Sequence, residues 1–198
     1  MKHRLGVLFA ILILISLTGC GKDIELTVEN VSSNTLAIRE DETIQVALVD
    51  SFDKDYYDIE EFKSFINEEI NTYNNEYGSN SIILDSLEKK ADKVILILSY
   101  ANMEDYARFN HVEGQLTTGV GAINFELPES FLNKKGESVA ASEALEKDDY
   151  KVFVINENIK VIIDGKIVYY YNGDYIDSQT LQADNEEMTF IIYKDKLF

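Results

Sequence analysis

Residues 151–171 read KVFVINENIKVIIDGKIVYYY, and from Lys151 onward the chain has a strongly β pattern. Runs of β-branched and aromatic residues, typical of strands, fill residues 152–155, 159–163 and 166–171. Asp164-Gly165 separates the last two runs, and an Asp-Gly pair in such a place favours a two-residue β-hairpin. Asn172-Gly173 marks another turn and a last apolar run follows, so this part of the chain is predicted to form a C-terminal β-meander.

Residues 58–77 carry the clearest helical pattern. Asp58 is followed three positions later by Glu61, which is the arrangement of a capping box at a helix start. Steps of three and four separate the apolar residues Ile59, Phe62, Phe65, Ile66, Ile70, Tyr73 and Tyr77. Gly78 is a favourable stop. The pattern predicts one long amphipathic helix over 58–77, packed on a sheet.

The remaining predicted elements are shorter. Alternating apolar residues predict two β-hairpins, over 35–39 with 43–49 and over 81–87 with 93–100. Short helices are predicted near 102–110 and 137–147, whereas residues 113–136 show no clear pattern. The predicted fold class is therefore α+β, with mostly antiparallel sheet, the long helix, two short helices and the C-terminal β-meander.

The N-terminus has a different character. Met1-Lys2-His3-Arg4 is positive, and a mostly apolar run from Leu5 to Leu17 follows it. This run is shorter than the roughly 20 residues that a transmembrane helix needs. A charged start followed by a short apolar stretch is typical of a secretory signal. Residues 1–19 are therefore predicted to be an export signal.

The residues at the end of this signal are more specific. Leu17-Thr18-Gly19-Cys20 resembles the lipobox of bacterial prolipoproteins. The resemblance implies that Cys20 receives a diacylglyceryl group on its sulfur and that a dedicated signal peptidase cuts between Gly19 and Cys20. Cys20 is the single cysteine of the chain, so no disulfide forms within it. The expected location is the extracytoplasmic face of the cell membrane, with the lipid on Cys20 as the anchor.

The net charge excludes some classes of partner. The chain has 36 acidic and 18 basic residues, and loss of Lys2 and Arg4 with the signal takes the net charge from −18 to −20. No nucleic-acid partner is expected, because nucleic-acid binding depends on Lys and Arg contacts with phosphate. An anionic membrane surface also repels such a chain. The lipid, and not a basic patch, is therefore expected to hold the protein at the membrane.

Few residues fit a catalytic role. His111 is the only histidine that remains after the signal, and no Gly-x-Ser-x-Gly motif accompanies it. A structural zinc site needs several Cys or His ligands, which the sequence does not provide. His111 is interpreted as a polar residue just past a short helix. No cofactor is predicted.

Two groups of residues are candidates for binding. Asp50, Asp53 and Asp55 offer the oxygen ligands that Ca²⁺ prefers, but they do not match an EF-hand loop, and solvated carboxylates near a helix start are the favoured interpretation. Tyr169 and Tyr171 share one face of a predicted strand. They form either a stacking surface for a glycan or peptide, or ordinary half-buried positions of a sheet.

Together these features predict three regions. Residues 1–19 are the signal, residues 20–33 are a lipidated N-terminus with a tether or edge strand, and residues 34–198 are a single domain. The predicted function is a non-catalytic binding or interaction domain of the cell envelope, with a protein or glycan partner. The alternative is a carboxylate-dependent envelope hydrolase, since the acidic residues offer many possible catalytic pairs.

Overall fold

The computed structural model describes residues 24–195 of the chain. The predicted export signal and the predicted lipidation site Cys20 lie outside the described residues. Within them the protein is mainly β, with 13 strands in two sheets, 41% of the residues in strands and 20% in helices. The predicted α+β class is therefore wrong, because strands supply both main layers and the helices fill space around them.

The strands of the described residues are β1 Thr35–Ile38, β2 Ile44–Ser51, β3 Ile82–Lys90, β4 Lys93–Tyr100, β5 Gly114–Thr118, β6 Ser130–Asn133, β7 Ser138–Ala140, β8 Lys151–Ile155, β9 Lys160–Ile163, β10 Gly165–Tyr171, β11 Gly173–Tyr175, β12 Thr180–Ala183 and β13 Thr189–Asp195. The helices are α1 Ile59–Tyr77, α2 Met103–Asn110, α3 Gly119–Ala122 and α4 Ala141–Ala144. Sheet A has the strand order β11-β12-β9-β1-β2-β4-β3, and sheet B has the order β5-β8-β13-β10-β6-β7. Neighbouring strands are antiparallel except β1 and β9, which are parallel.

The two sheets share one apolar core, and each also buries part of its outer face. On β8, Phe153 and Ile155 belong to the shared cluster, whereas Val152 and Val154 belong to a second cluster on the outer face of sheet B. This alternation follows from the two-residue period of a strand. A third cluster lies on the outer face of sheet A and includes Ala47 of β2. Burial on both faces explains why the central strands are continuous apolar runs.

Residues 24–34 cover the outer face of sheet A without forming a strand. Leu26 and Val28 are buried in the third cluster. The backbone N–H of Leu26 donates to Oε1 of the buried Gln45 at 2.7 Å. This segment is therefore part of the packed body.

The C-terminal strands do not form the predicted β-meander. The chain passes from β8 in sheet B to β9 in sheet A, returns to β10 in sheet B, and crosses again to β11 and β12 before β13. Asp164-Gly165 is one of these crossings, and neither residue has the positive φ that a type I′ hairpin turn requires. Gly165 is needed for another reason, because a Cβ there would lie 2.6 Å from the backbone oxygen of Lys194.

The structure contains both predicted hairpins, β1 with β2 and β3 with β4. It also contains α1, whose N-cap Asp58 accepts hydrogen bonds from the backbone N–H groups of Glu60 and Glu61 at 2.8 and 3.1 Å. α2 lies within the range 102–110, but the helix predicted over 137–147 is reduced to α4. Residues Ser138–Ala140 pair with β6 instead, because strand pairing outweighs the modest helix propensity of Ala and Glu.

None of the helices within residues 24–195 is long and apolar enough to cross a membrane.

Candidate functional site

A cleft of about 430 Å³ opens on the outer face of sheet B, at the end of the sheet that the second cluster leaves uncovered. We call it the lysine cleft. Its lining residues are Asn133, Lys134, Lys135, Tyr150, Lys166, Ile167, Val168, Tyr169 and Lys194. The lining contains four lysines and no acidic residue, in a chain whose formal net charge is −18. The lining itself is therefore positively charged, with the carboxylates of Glu137 and Glu143 beside it.

Strand register brings two of these lysines together. Lys166 on β10 lies directly opposite Lys194 on β13 in the antiparallel ladder. Like charges in directly opposite positions destabilise a sheet, because their side chains are close and repel each other. The Lys166–Lys194 pair is therefore unfavourable in the free protein, and an anion bound beside it would reduce the repulsion.

The β6–β7 turn supplies the other two lysines. Asn133 is the partner of Tyr169 across the β6–β10 pair, so the turn that follows it stands beside the cleft. The side-chain oxygen Oδ1 of Asn133 accepts hydrogen bonds from the backbone N–H of Lys135 at 2.8 Å and of Glu137 at 3.1 Å. The turn is therefore ordered by its own asparagine, and it carries Lys134 and Lys135 as exposed side chains.

The cleft lysines differ from Lys151, which forms ion pairs within the fold. Lys151 forms ion pairs with Glu42 at 2.9 Å and with Asp195 at 3.0 Å. Burial opposes the charge of Lys151, but these two carboxylates outweigh it and raise the pKa of the ammonium group. Among residues 24–195, no ion pair involves any of the four cleft lysines.

Two tyrosines form the aromatic part of the cleft. The rings of Tyr150 and Tyr169 are 6.4 Å apart between centroids, at an interplanar angle of 61°, and both side chains are half-buried. Burial is the main cause that raises the pKa of Tyr169, and the nearby Tyr150 and Glu143 add to it, while Lys147 lowers it. The Tyr169 hydroxyl therefore stays protonated near neutral pH and can donate a hydrogen bond to a ligand.

The structure separates the two tyrosines that the sequence groups together. Tyr169 and Tyr171 both belong to the outer face of sheet B, whereas Tyr170 is buried in the shared core and stacks on Tyr175 at 5.7 Å. Tyr171 packs near Phe190 and its hydroxyl donates to Oε2 of Glu187 at 2.5 Å. Tyr171 is absent from the lining of the cleft, so only Tyr169 of the pair lies beside the lysines.

Sequence reasoning missed Tyr150 and all four lysines of the cleft. The adjacent pair Lys134-Lys135 before Gly136 was a visible signal of a positively charged turn. The pairing of Lys166 with Lys194 was not visible, because it depends on a long-range strand register.

The predicted acidic candidates do not converge. Oδ1 of Asp50 accepts a hydrogen bond from the backbone N–H of Ser51 at 2.6 Å, and Asp53 lies 3.5 Å from the ammonium of Lys54. Asp55 follows in the loop before α1. Within the described part of the chain, no three His, Cys, Asp or Glu side chains are grouped so that they could hold a metal ion.

A second, larger cleft of about 810 Å³ lies on the outer face of sheet A and is acidic. Oδ2 of Asp85 in this cleft accepts hydrogen bonds from Gln45 at 2.7 Å and from the hydroxyl of Ser99 at 2.6 Å. Gln45 in turn holds the N-terminal segment through Leu26. These polar groups therefore have a structural use.

One further carboxylate of this cleft bears on the hydrolase alternative. The hydroxyl of Thr43 donates to Asp41 at 2.6 Å, and this hydrogen bond lowers the pKa of the carboxyl group. A general acid needs the opposite shift, towards neutral pH.

His111, the remaining candidate, has a φ of 55° and ends α2 in a left-handed C-cap, where its backbone N–H donates to the carbonyl of Ala107.

No known protein family, curated protein or solved structure matches this chain.

Proposed function

We propose that the protein is a lipid-anchored, non-catalytic binding module on the extracytoplasmic face of the cell membrane, and that its lysine cleft binds an anionic saccharide of the cell envelope. The ligand class is inferred from the lining of the cleft, which combines four lysines, two tyrosine rings and no acidic residue. The lipobox-like Leu17-Thr18-Gly19-Cys20 supports the anchor.

The chemistry of the cleft fits a sugar that carries carboxylate or phosphate groups. Tyrosine rings present an apolar face to a sugar ring and a hydroxyl to its polar edge. Lysine ammonium groups attract carboxylate and phosphate, and each has three donors that adapt to different spacings. A neutral sugar would leave the repulsion between Lys166 and Lys194 in place, so the cleft favours an acidic one.

The same lining favours binding over hydrolysis. Glycoside hydrolysis by the usual route needs two carboxyl groups on either side of the bond to be cut. The cleft lining supplies none, and it has no imidazole or thiol. The acidic cleft on sheet A is lined by Glu25, Glu29 and Glu88 besides Asp41 and Asp85. Asp85 is held by Gln45 and Ser99, and the lowered pKa of Asp41 does not suit a general acid.

Calorimetry tests the ligand class. The chain from residue 20 onward, carrying Cys20→Ser so that it stays in solution, is titrated with oligogalacturonate and with a neutral galactose oligosaccharide of the same length. We expect binding of the acidic oligosaccharide only, with an affinity that falls as salt is added, because salt screens the lysine charges. Equal binding of both sugars, or no binding of oligogalacturonate, would contradict the proposal.

Membrane fractionation tests the anchor separately. The full chain should be found in the membrane fraction with its signal removed. A chain in which an ordinary cleavable secretory signal replaces residues 1–19, and which carries Cys20→Ser, should be found in the soluble extracytoplasmic fraction. An uncut signal on the membrane-bound full chain would show that residues 1–19 act as a membrane anchor themselves.

A further inference from the structure

A short turn between β5 and β6 exposes two apolar side chains. It comprises α3 and Ile123, and we call it the apolar turn, residues 119–123. Val120 is 75% exposed and Ile123 is 64% exposed. No residue from 114 to 125 is charged, in a chain of which 27% is charged. Exposed apolar residues within an uncharged surface segment are typical of a contact with a partner or a membrane.

The turn is held in place by packing beneath it. Ala122 is fully buried in the second cluster. A Cβ on Gly119 would lie 3.1 Å from the backbone oxygen of Leu145, and one on Gly121 would lie 1.8 Å from Oγ1 of Thr117. The backbone of the turn therefore packs closely against Leu145 and Thr117, whereas the side chains of Val120 and Ile123 are exposed. Their apolar character is not needed to fill the core.

The apolar turn and the start of the described chain lie at the same end of the sandwich. Thr118, immediately before the turn, is directly opposite Lys151 on the neighbouring strand. Lys151 pairs with Glu42 at 2.9 Å, and Glu42 belongs to the β1–β2 turn. Arg39 of that turn donates from Nε to the backbone oxygen of Ile24 at 3.3 Å. A short series of contacts thus joins the turn to Ile24.

Ile24 is four positions after Cys20 in the sequence. An extended chain rises by about 3.5 Å per residue, so four residues span at most about 14 Å. A lipid on Cys20 would therefore keep this end of the body within that distance of the bilayer. This step rests on the anchor of the proposed function.

The charge at this end does not oppose such a contact. The lysine cleft opens beside Tyr150, which precedes Lys151, and so it lies at the same end as the turn. The acidic residues Glu40, Asp41 and Glu42 also lie there, in the β1–β2 turn. The local charge is therefore mixed, so a contact of this end with a bilayer would depend on apolar insertion rather than on attraction to anionic lipid.

We propose that the apolar turn inserts Val120 and Ile123 into the interface of the bilayer that holds the lipid on Cys20. The lipid and the turn then act as two attachment points, and the body is held in one orientation. Burial of two aliphatic side chains supplies a contact that a neutral bilayer can accept.

Tryptophan fluorescence tests this contact, because the chain contains no Trp. Val120→Trp is introduced into the full lipidated chain, which is reconstituted in phosphatidylcholine vesicles with and without phosphatidylglycerol. We expect a blue-shifted emission and loss of most of the emission when brominated lipid is included, in both vesicle types. Tyr56→Trp is the matched control, since Tyr56 is 74% exposed and lies in the loop after β2, at the opposite end.

The outcomes separate the inference from the proposed function. If mass spectrometry finds the lipid on Cys20 but Trp at position 120 emits and is quenched like Trp at position 56, the inserted turn is wrong and the anchor stands. If Cys20 carries no lipid, the anchor and the inserted turn both fail. If Val120→Trp does not fold, Ile123→Trp takes its place, with the same expected blue shift and quenching.

Discussion

Two groups of lysines lie at opposite ends of the sandwich and have different partners. The cleft lysines are Lys134, Lys135, Lys166 and Lys194, and the turn lysines are Lys89, Lys90 and Lys93 around the β3–β4 turn. Each group contains a directly opposite like-charged pair, Lys166 with Lys194 and Lys90 with Lys93. The shared pairing means that cross-strand repulsion alone does not distinguish the two groups.

The partners of the turn lysines do distinguish them. Nζ of Lys90 donates to the backbone oxygen of Val28 at 3.1 Å, which fastens the N-terminal segment to sheet A. Nζ of Lys89 lies 5.1 Å from the centroid of the Phe52 ring, within the range of a cation–π interaction. The turn lysines therefore stabilise the fold, whereas the cleft lysines line an open cleft. Position and partners, rather than residue type, decide which lysines are candidates for binding.

The largest expected effect is on ligand affinity. Lys166→Glu with Lys194→Glu should weaken binding of oligogalacturonate by about a hundredfold, since two charge-assisted contacts are replaced by repulsion. The geometrically matched control is Lys90→Glu with Lys93→Glu, which should leave the affinity unchanged. Calorimetry measures both, and an equal loss in the two double variants would show that only the overall charge matters.

A smaller effect on ligand affinity should distinguish Tyr169 from Tyr171. Tyr169→Leu keeps an apolar side chain but removes the ring and hydroxyl, and we expect about a tenfold loss of affinity for oligogalacturonate. Tyr171→Leu is the control, because Tyr171 packs near Phe190 outside the cleft. The comparison is made by the same titration. A larger loss of affinity in Tyr171→Leu would indicate that the sugar stacks on Tyr171, outside the lysine cleft.

The smallest expected effect is on stability. Here the turn lysines should matter more than the cleft lysines, whereas for ligand affinity the cleft lysines should matter more. Lys90→Ala should lower the free energy of unfolding by about 0.7 kcal/mol, because loss of the hydrogen bond to Val28 outweighs the relief of repulsion from Lys93. Lys166→Ala should instead raise it by about 0.3 kcal/mol, since it relieves repulsion from Lys194. Urea denaturation followed by circular dichroism measures both. A loss of stability in Lys166→Ala would mean that this lysine has a structural partner.

Local patterns predicted the local elements well. The two hairpins and the helix that starts at Asp58 depend on residues close in the sequence, and all three are present. The fold class was wrong because strands supply both main layers and the helices are minor. The β-meander was wrong because Asp164-Gly165 looks like a hairpin turn, although it is a crossing between sheets. The crossing is visible in the strand pairing, since β9 pairs with β1 in sheet A and β10 with β13 in sheet B, and both pairings join residues that are distant in the sequence.

The candidate site was harder to predict for the same reason. Tyr169 was identified for its aromatic ring and grouped with Tyr171, its neighbour on the strand. Its partners in the cleft are Tyr150, from the loop before β8, and lysines from β6–β7, β10 and β13. Strand order in sheet B brings these residues together, and no local spacing encodes that order.

Nuclear magnetic resonance of the ¹⁵N-labelled chain during titration with oligogalacturonate would show directly whether the lysine cleft is the binding site. We expect the largest backbone shift changes on residues 133–135, 150, 166–169 and 194, which line the cleft. The turn lysines should stay unshifted and serve as the internal control. Changes centred on residues 89–93, or spread evenly over the acidic surface, would contradict the claim that the lysine cleft is the binding site.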